Sequence, residues 1–283
     1  MDKLHRNYIL KVESIAGTMI TITPPFTIEF DITRNVLSSS NICSIRIYNL
    51  SKTRQGEIRK DITNYTQFRK VELFAGYGQN MPKIFSGNIT QAWSVREGNN
   101  MISQIECFDG GFAYNNAKSD SVVPIANTKK VDVYKALIQT LPNVTVGKIG
   151  SYTGSIGRGQ AFPGSTISNL QNELGNNFFI DNGVANILNV NECLEGKIKT
   201  INSSVGLLGT PIREQYYINF DMIFEPNVIC GQKISLESST QANFNGDYKI
   251  IAIKHRGMIS DSVSGEAITS LKLMRSNNLT VVN

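Results

Sequence analysis

Histidine and tryptophan are nearly absent: 283 residues hold His5, His255 and the single tryptophan Trp93. The two histidines stand at opposite ends of the chain, so a Ser-His-Asp triad or a multi-histidine metal site would have to assemble around one imidazole. A histidine in a strand or on the surface is the plainer reading. Cys43, Cys107, Cys193 and Cys230 are far apart, in apolar strand-like contexts and without a Cys-x-x-Cys pair. That pattern fits reduced, buried thiols better than a disulfide scaffold or a zinc site. These residues call for no cofactor and no metal.

Blocks of one charge are missing as well. The net charge of +5 is spread over 28 basic and 23 acidic residues. No Lys/Arg run is there to release many phosphate counterions at once, so sequence-specific nucleic-acid binding is not expected. Residues 1–10 alternate charged and apolar side chains, unlike a signal peptide or a membrane helix, which predicts a chain made and kept soluble. Chemistry-bearing motifs are equally sparse. Gly154-Ser155-Ile156-Gly157-Arg158-Gly159 lacks the dinucleotide spacing and has no Lys-Ser/Thr after it, so it reads as a flexible connection. Glu29 with Asp31, and Glu106 with Asp109, invite a glycosidase reading, since that chemistry needs two carboxylates across a bond. With one tryptophan there is no aromatic sugar platform beside them, and a solvated strand face is favoured. Asn88-Ile89-Thr90 and Asn143-Val144-Thr145 have the glycosylation pattern but no secretory context.

What is plentiful is β patterning. The apolar fraction of 41% and charged fraction of 18% belong to an ordered globular chain, and 23 glycines punctuate short apolar runs. Ile20, Ile22, Ile28, Phe30 and Ile32 alternate with polar residues around Pro24-Pro25, and Ile42–Tyr48 repeats the period of two. Ser51 offers an N-cap for a short helix through Lys60, weakened by Gly56. Strands over 71–77, 84–95 and 101–108 complete an antiparallel meander, the last two joined by the polar turn 96–100. Phe74, Phe85, Ile89, Ile105 and Cys107 are expected on one buried face. From Thr128 the period changes: Val131, Tyr134, Leu137, Ile138 and Leu141 predict a helix stopped by Pro142. A second short helix is predicted from Ser165 to Gly175, then a hairpin of strands 178–180 and 184–190 turning on Asp181-Asn182-Gly183. Strands return over 218–223, 233–237, 248–255 and 267–274. The fold class is therefore mainly β with a smaller α+β part. Four segments follow: a β domain over 1–112, a connecting segment over 113–127 expected to pair with the second β domain, an inserted α+β domain over 128–199, and a second β domain over 200–283.

The two β domains resemble each other. Each reads as a strand, a loop, a Phe-x-Gly triplet, a long strand, a turn and a last strand; the triplets are Phe85-Ser86-Gly87 and Phe244-Asn245-Gly246. Glycine there would admit a bulge or a tight bend. The triplets are expected at matching positions of a duplicated module.

Several segments resemble a known family. The run Ser44 to Ser51 leading into a short helix, then 71–78, Phe85-Ser86-Gly87-Asn88-Ile89 and Glu106-Cys107-Phe108-Asp109-Gly110, resembles the first domain of phage baseplate hub proteins. The segment 205–211, with Gly206 and Pro211, then Phe224-Glu225-Pro226-Asn227, Gly231-Gln232-Lys233-Ile234 and Gly246-Asp247-Tyr248-Lys249-Ile250 with His255, is similar to their second domain. This resemblance implies two tail-tube-like antiparallel β-barrel or sandwich domains and a non-enzymatic homotrimer. Its six modules would adapt the sixfold tail tube to the threefold central spike around the DNA-ejection channel. Implied partners are the tail tube protein, the central spike or tail-tip protein, the tape-measure protein and baseplate wedge components. Implied residence is the virion's tail baseplate, after synthesis in the bacterial host cytoplasm. Phe85, Gly87, Trp93, Phe244, Gly246, Gly206 and Pro211 are the structural and assembly candidates. Two other readings stay open: a tube or distal-tail adaptor forming a sixfold ring, and a tail-tip cell-wall hydrolase motivated by the acidic pairs.

Overall fold

A computed structural model describes residues 5–37, 41–64, 67–261, 265–276 and 278–282, so the first four residues and Asn283 of the expected domains lie outside it. In chain order the strands begin with β1 (Arg6–Glu13), β2 (Met19–Ile22), β3 (Ile28–Asn35) and β4 (Ile42–Tyr48). Helix α1 (Lys52–Ile58) then leads to β5 (Lys70–Tyr77), β6 (Lys83–Glu97) and β7 (Asn100–Phe108). The middle holds α2 (Gly111–Asn116), α3 (Lys130–Gln139), β8 (Thr145–Ile149), α4 (Thr166–Leu174), β9 (Phe178–Asp181), β10 (Val184–Ile187) and β11 (Glu192–Cys193). The rest comprises β12 (Thr200–Ile201), β13 (Leu207–Glu214), β14 (Tyr217–Ile223), β15 (Lys233–Leu236), β16 (Gly246–Ile259), β17 (Ala267–Arg275) and β18 (Thr280–Val281).

Period-two patterning produces these strands. On β3, Ile28, Phe30 and Ile32 face inward while Asp31 is exposed, and β4 buries Cys43, Ile45 and Ile47 in the same rhythm. Strand β1, hidden to a sequence reading by its charged outer residues, buries Tyr8, Leu10 and Val12 completely. Helix α1 is capped by the Ser51 hydroxyl, which accepts the Arg54 N–H at 3.3 Å. It stops at Ile58, short of the expected Lys60, because Lys60 leaves to pair its backbone with Ala92. The hairpin β9–β10 turns on Asn182 and Gly183, both at positive φ, and β10 ends at Ile187 rather than Val190.

One thirteen-stranded sheet runs through both β regions in the order β13-β14-β17-β16-β3-β4-β7-β6-β5-β1-β2, with β15 on β16 and β12 on β15. Within it the same order occurs twice. β5-β6-β7-β4-β3 is answered by β15-β16-β17-β14-β13, and the halves join where β3 pairs with the distal part of β16. Each half curls over its own core, the first around Tyr8, Phe30, Ile45 and Phe85, the second around Phe220, Ile234, Tyr248 and Leu273. A third core, with Leu137, Leu170 and Phe178, belongs to the helical part and the small sheet β8-β10-β9.

Three expectations are corrected. Among the described residues the segment 113–127 pairs with the helical part rather than with the second β region: Ser119 and Thr166 bond Gly164 and Ala117, Asn127 bonds Ile156, and Ala113, Ala117 and Val122 join the third core. The two Phe-x-Gly triplets are not at matching positions. Each long strand carries one extra residue against its following partner, Thr90 in β6 and Ile251 in β16, and on that count Gly87 matches Tyr248 while Gly246 matches Phe85. Phe244 accordingly sits in a short turn before its strand, whereas Phe85 is inside β6 and fully buried. Lastly, Phe74 points away from the buried face, which takes Leu73 instead; Phe85, Ile89, Ile105 and Cys107 do share it. All four cysteines are free and buried.

Candidate assembly edges and the buried clamp

Arg34 falls on the same side of β3 as Phe30 and Ile32 and is almost fully buried. Its guanidinium meets the carboxylate of Asp181 in a two-pronged pair, Nε to Oδ1 at 2.7 Å and Nη2 to Oδ2 at 2.6 Å. Burial works against the Arg34 charge, but Asp181 outweighs it and the pKa rises above its ordinary value. Neighbouring groups complete the clamp. The Asn41 amide donates to the Ile180 carbonyl at 3.0 Å, Asn182 donates to the Lys83 carbonyl at 3.4 Å, and Asp109 accepts the Gly183 N–H at 3.0 Å. Burial, then Asp181, pushes the Asp109 carboxyl up to about 7. The tip of the β9–β10 hairpin is thus bolted to β3, β6 and the end of β7. A lone arginine gives no motif, yet its phase in the Phe30, Ile32, Arg34 alternation is a signal that it faces inward.

His255 is the second buried polar group on this seam. Its Nδ1 lies 2.9 Å from the Thr269 hydroxyl, which also accepts the Glu225 N–H at 2.9 Å, and its ring stands edge-on to Phe224. Burial, aided by Arg34, lowers its pKa to about 3, so the ring is neutral and packed rather than presented to a substrate. The acidic pairs are spread over charge-paired surface. Asp31 meets Lys254 at 3.0 Å, Glu29 meets Arg46 at 3.5 Å, and Glu106 accepts Ser44 and Gln104 at 2.9 and 2.7 Å. Asp109, by contrast, is in the clamp. Residues 154–159 form an irregular connection that pairs with residues 127–130. Among the described residues no group of three or more His, Cys, Asp and Glu could hold a metal, and no helix is long and apolar enough to cross a membrane.

Sheet edges are the other notable feature. Among the described residues β13 pairs only with β14, and the distal part of β6, beyond Ala92, pairs only with β7. Large apolar side chains lie exposed on both: Ile212 is 65% and Leu208 39% exposed on β13, Val95 41% and Trp93 37% on β6. Of the candidate residues, Gly87 is needed for close approach, since a Cβ there would lie 2.5 Å from the Phe108 carbonyl oxygen. Gly206, at φ +110°, packs against Ile223, and Pro211 is buried in the irregular part of β13. The structure gathers Trp93 on one open edge and Gly206 with Pro211 beside the other, and it leaves Phe85 in the core.

The family model for Baseplate hub gp41 matches residues 9–258. The chain belongs to that family. This baseplate hub protein has matching folds among solved structures. The 43 kDa tail protein of prophage MuSo2 from Shewanella oneidensis superposes with a TM-score of 0.61 at 9% identity, covering 95% of this chain and 98% of that one. A tail protein from Neisseria meningitidis MC58 gives 0.56 at 10% identity, covering 96% and 98%. The Escherichia coli c3393 protein, a type VI secretion component described as similar to the T4 tail proteins gp27 and gp5, gives 0.58 at 10%, covering 96% and 80%. No curated protein sequence matches the chain. The hub is a structural protein of a phage tail tip, resident in the baseplate. Its strand-rich fold is shared with these tail proteins.

Proposed function

We propose that three copies of this baseplate hub close into a ring of six β modules, two from each chain, around the channel through which DNA leaves the tail. The carrying observation is the repeated strand order, β5-β6-β7-β4-β3 and β15-β16-β17-β14-β13, with the halves already joined edge to edge by β3 and β16. Two like modules per chain in a threefold ring present quasi-sixfold edges, the symmetry needed between a sixfold tube and a threefold spike. The modules are assigned to 1–112 and 200–283, with the α+β domain over 128–199 inserted between them and clamped at Arg34. The hairpins β6–β7 and β16–β17, with their long strands, are assigned to the channel wall.

Proposed partners are the tail tube protein on one side and the central spike or tail-tip protein on the other, with the tape-measure protein and wedge components in contact with the assembled hub. The hub acts without turnover: His255 is sealed in the core, Glu29 and Asp31 are held in salt bridges on a strand face, Glu106 is hydrogen-bonded to Ser44 and Gln104, and Asp109 is buried in the clamp. Trp93, Gly206 and Pro211 serve assembly, and Phe85, Gly87, Phe244 and Gly246 shape the modules. Light scattering of the protein alone and mixed with its tube and spike partners tests this. A trimer is expected in at least one of these states, and a strict monomer in all of them would refute the ring. A reproducible clearing zone on a peptidoglycan gel would refute the non-enzymatic reading.

A further inference from the structure

Resting on the ring reading above, the geometry points to the seam between copies. We infer that β13 of one chain pairs antiparallel with residues 93–97 of β6 in the next, in the register that β3 and β16 use within the chain. The one-residue bulges align the long strands, Thr90 with Ile251, so Trp93, Ser94 and Val95 match Lys254, His255 and Arg256. A side-chain contact repeats with them: Ser94 bonds Ser103 at 3.0 Å as His255 bonds Thr269 at 2.9 Å. Following the ladders through β7–β4 and β17–β14 matches Asp31, Ile32 and Thr33 of β3 with Ile212, Arg213 and Glu214 of β13.

Within the chain, Lys254 faces Thr33, His255 faces Ile32 and Arg256 faces Asp31. Transferred to the matching strands, Trp93 faces Glu214, Ser94 faces Arg213 and Val95 faces Ile212. This sets the most exposed apolar residue of β13 against an exposed apolar residue of β6. His255 is buried because β3 lies beside it; Ser94, its counterpart, is exposed because nothing among the described residues does. The seam has a defined start. Lys60 already occupies the edge of β6 at Ala92 with two backbone bonds of 2.9 Å, so the free stretch begins at Trp93. Alternation then leaves the backbone groups of Ser94 and Arg96 turned toward the open edge, where a second copy would satisfy them.

Val36 N–H donates to the Ile251 carbonyl, which makes that pair hydrogen-bonded and, by alternation, the pairs matching Val95–Ile212 and Trp93–Glu214 non-hydrogen-bonded. Such pairs bring Cβ atoms within reach of a disulfide. The test is oxidation of assembled tails carrying Val95→Cys with Ile212→Cys, read on a non-reducing gel, with Trp93→Cys/Glu214→Cys as a second in-register pair. Val95→Cys/Leu208→Cys is the out-of-register control; the native thiols are buried and give little background. A covalent trimer from an in-register pair, and its loss in the control, is the expected result. A threefold ring whose in-register pairs stay monomeric would overturn the seam while leaving the ring reading standing. Absence of a threefold ring in the wild-type tail would remove both. Should neither variant assemble, a reconstruction of the wild-type ring decides, since β13 lying against anything but the next chain's β6 contradicts the inference.

Discussion

Arg34 and Asp181 show why one charged residue can matter more to this protein than many surface pairs. The exposed bridges, such as Lys199–Glu195, contribute little against solvent screening, whereas the Arg34–Asp181 pair is buried on both sides. Replacing Arg34 by Met strands the Asp181 carboxylate in the interior. Loss of about 3–5 kcal/mol is expected in urea unfolding. An unchanged unfolding midpoint would show that the clamp is solvated. The same seam predicts an unusual pH response. Asp109 is held at about 7, above the ordinary ~4 of an unfolded carboxyl, so the folded state binds the extra proton and stability falls as pH rises between those values. His255 is held at about 3, below the ordinary ~6.5, so stability rises as pH climbs through that window. From about pH 4 to 6.5 the two slopes oppose each other, each on the order of 1.4 kcal/mol per pH unit. Asp109→Asn should therefore expose a stability that rises with pH, and His255→Gln one that falls. Urea titrations at both ends of the window read the sign directly, and like slopes in the two variants would refute the assignment. If His255 has no chemical role, its replacement should also leave assembly competence intact.

At the scale of elements, the sequence was legible wherever local pattern sets local structure. Alternation marked β3, β4 and β5, the Asn182-Gly183 turn marked its hairpin, and Ser165 and Gly175 marked the ends of α4. β13 has no local strand signature, since Gly209 and Pro211 interrupt it, and pairing with β14 makes that stretch a strand. The pairing of β3 with β16 joins residues more than 200 positions apart, and no local signal reports it. The Arg34 clamp was missed for the same reason: its partner comes from a distant hairpin. Phe-x-Gly was a real feature given the wrong meaning. In β6 the glycine lets the strand approach Phe108, while in β16 it stands at the strand entry with φ +141°. Gly87→Ala should cost about 1–3 kcal/mol by forcing Cβ onto the Phe108 backbone. Phe85→Ala, which empties a fully buried site, should cost about 3–5 kcal/mol and yield misassembled or insoluble protein. Wild-type melting and ring formation in Phe85→Ala would show that the first core does not depend on it.

At the scale of the whole molecule, the thirteen-stranded sheet is long and, among the described residues, unclosed. An exposed strand edge invites pairing with another chain unless it is covered. Here the chain covers one such edge by itself, β3 on β16, and among the described residues nothing covers the equivalent edges of β6 and β13. The proposed ring of three copies would give every such edge a partner. Ile251→Asp places a charge at the bulge of β16 against the second core, and it should weaken that module or the trimer. The most direct measurement is the symmetry of the hub in a reconstruction of the intact tail tip. Three chains displaying six β modules about one axis is the predicted result; a ring of six chains, each contributing one module, would contradict it.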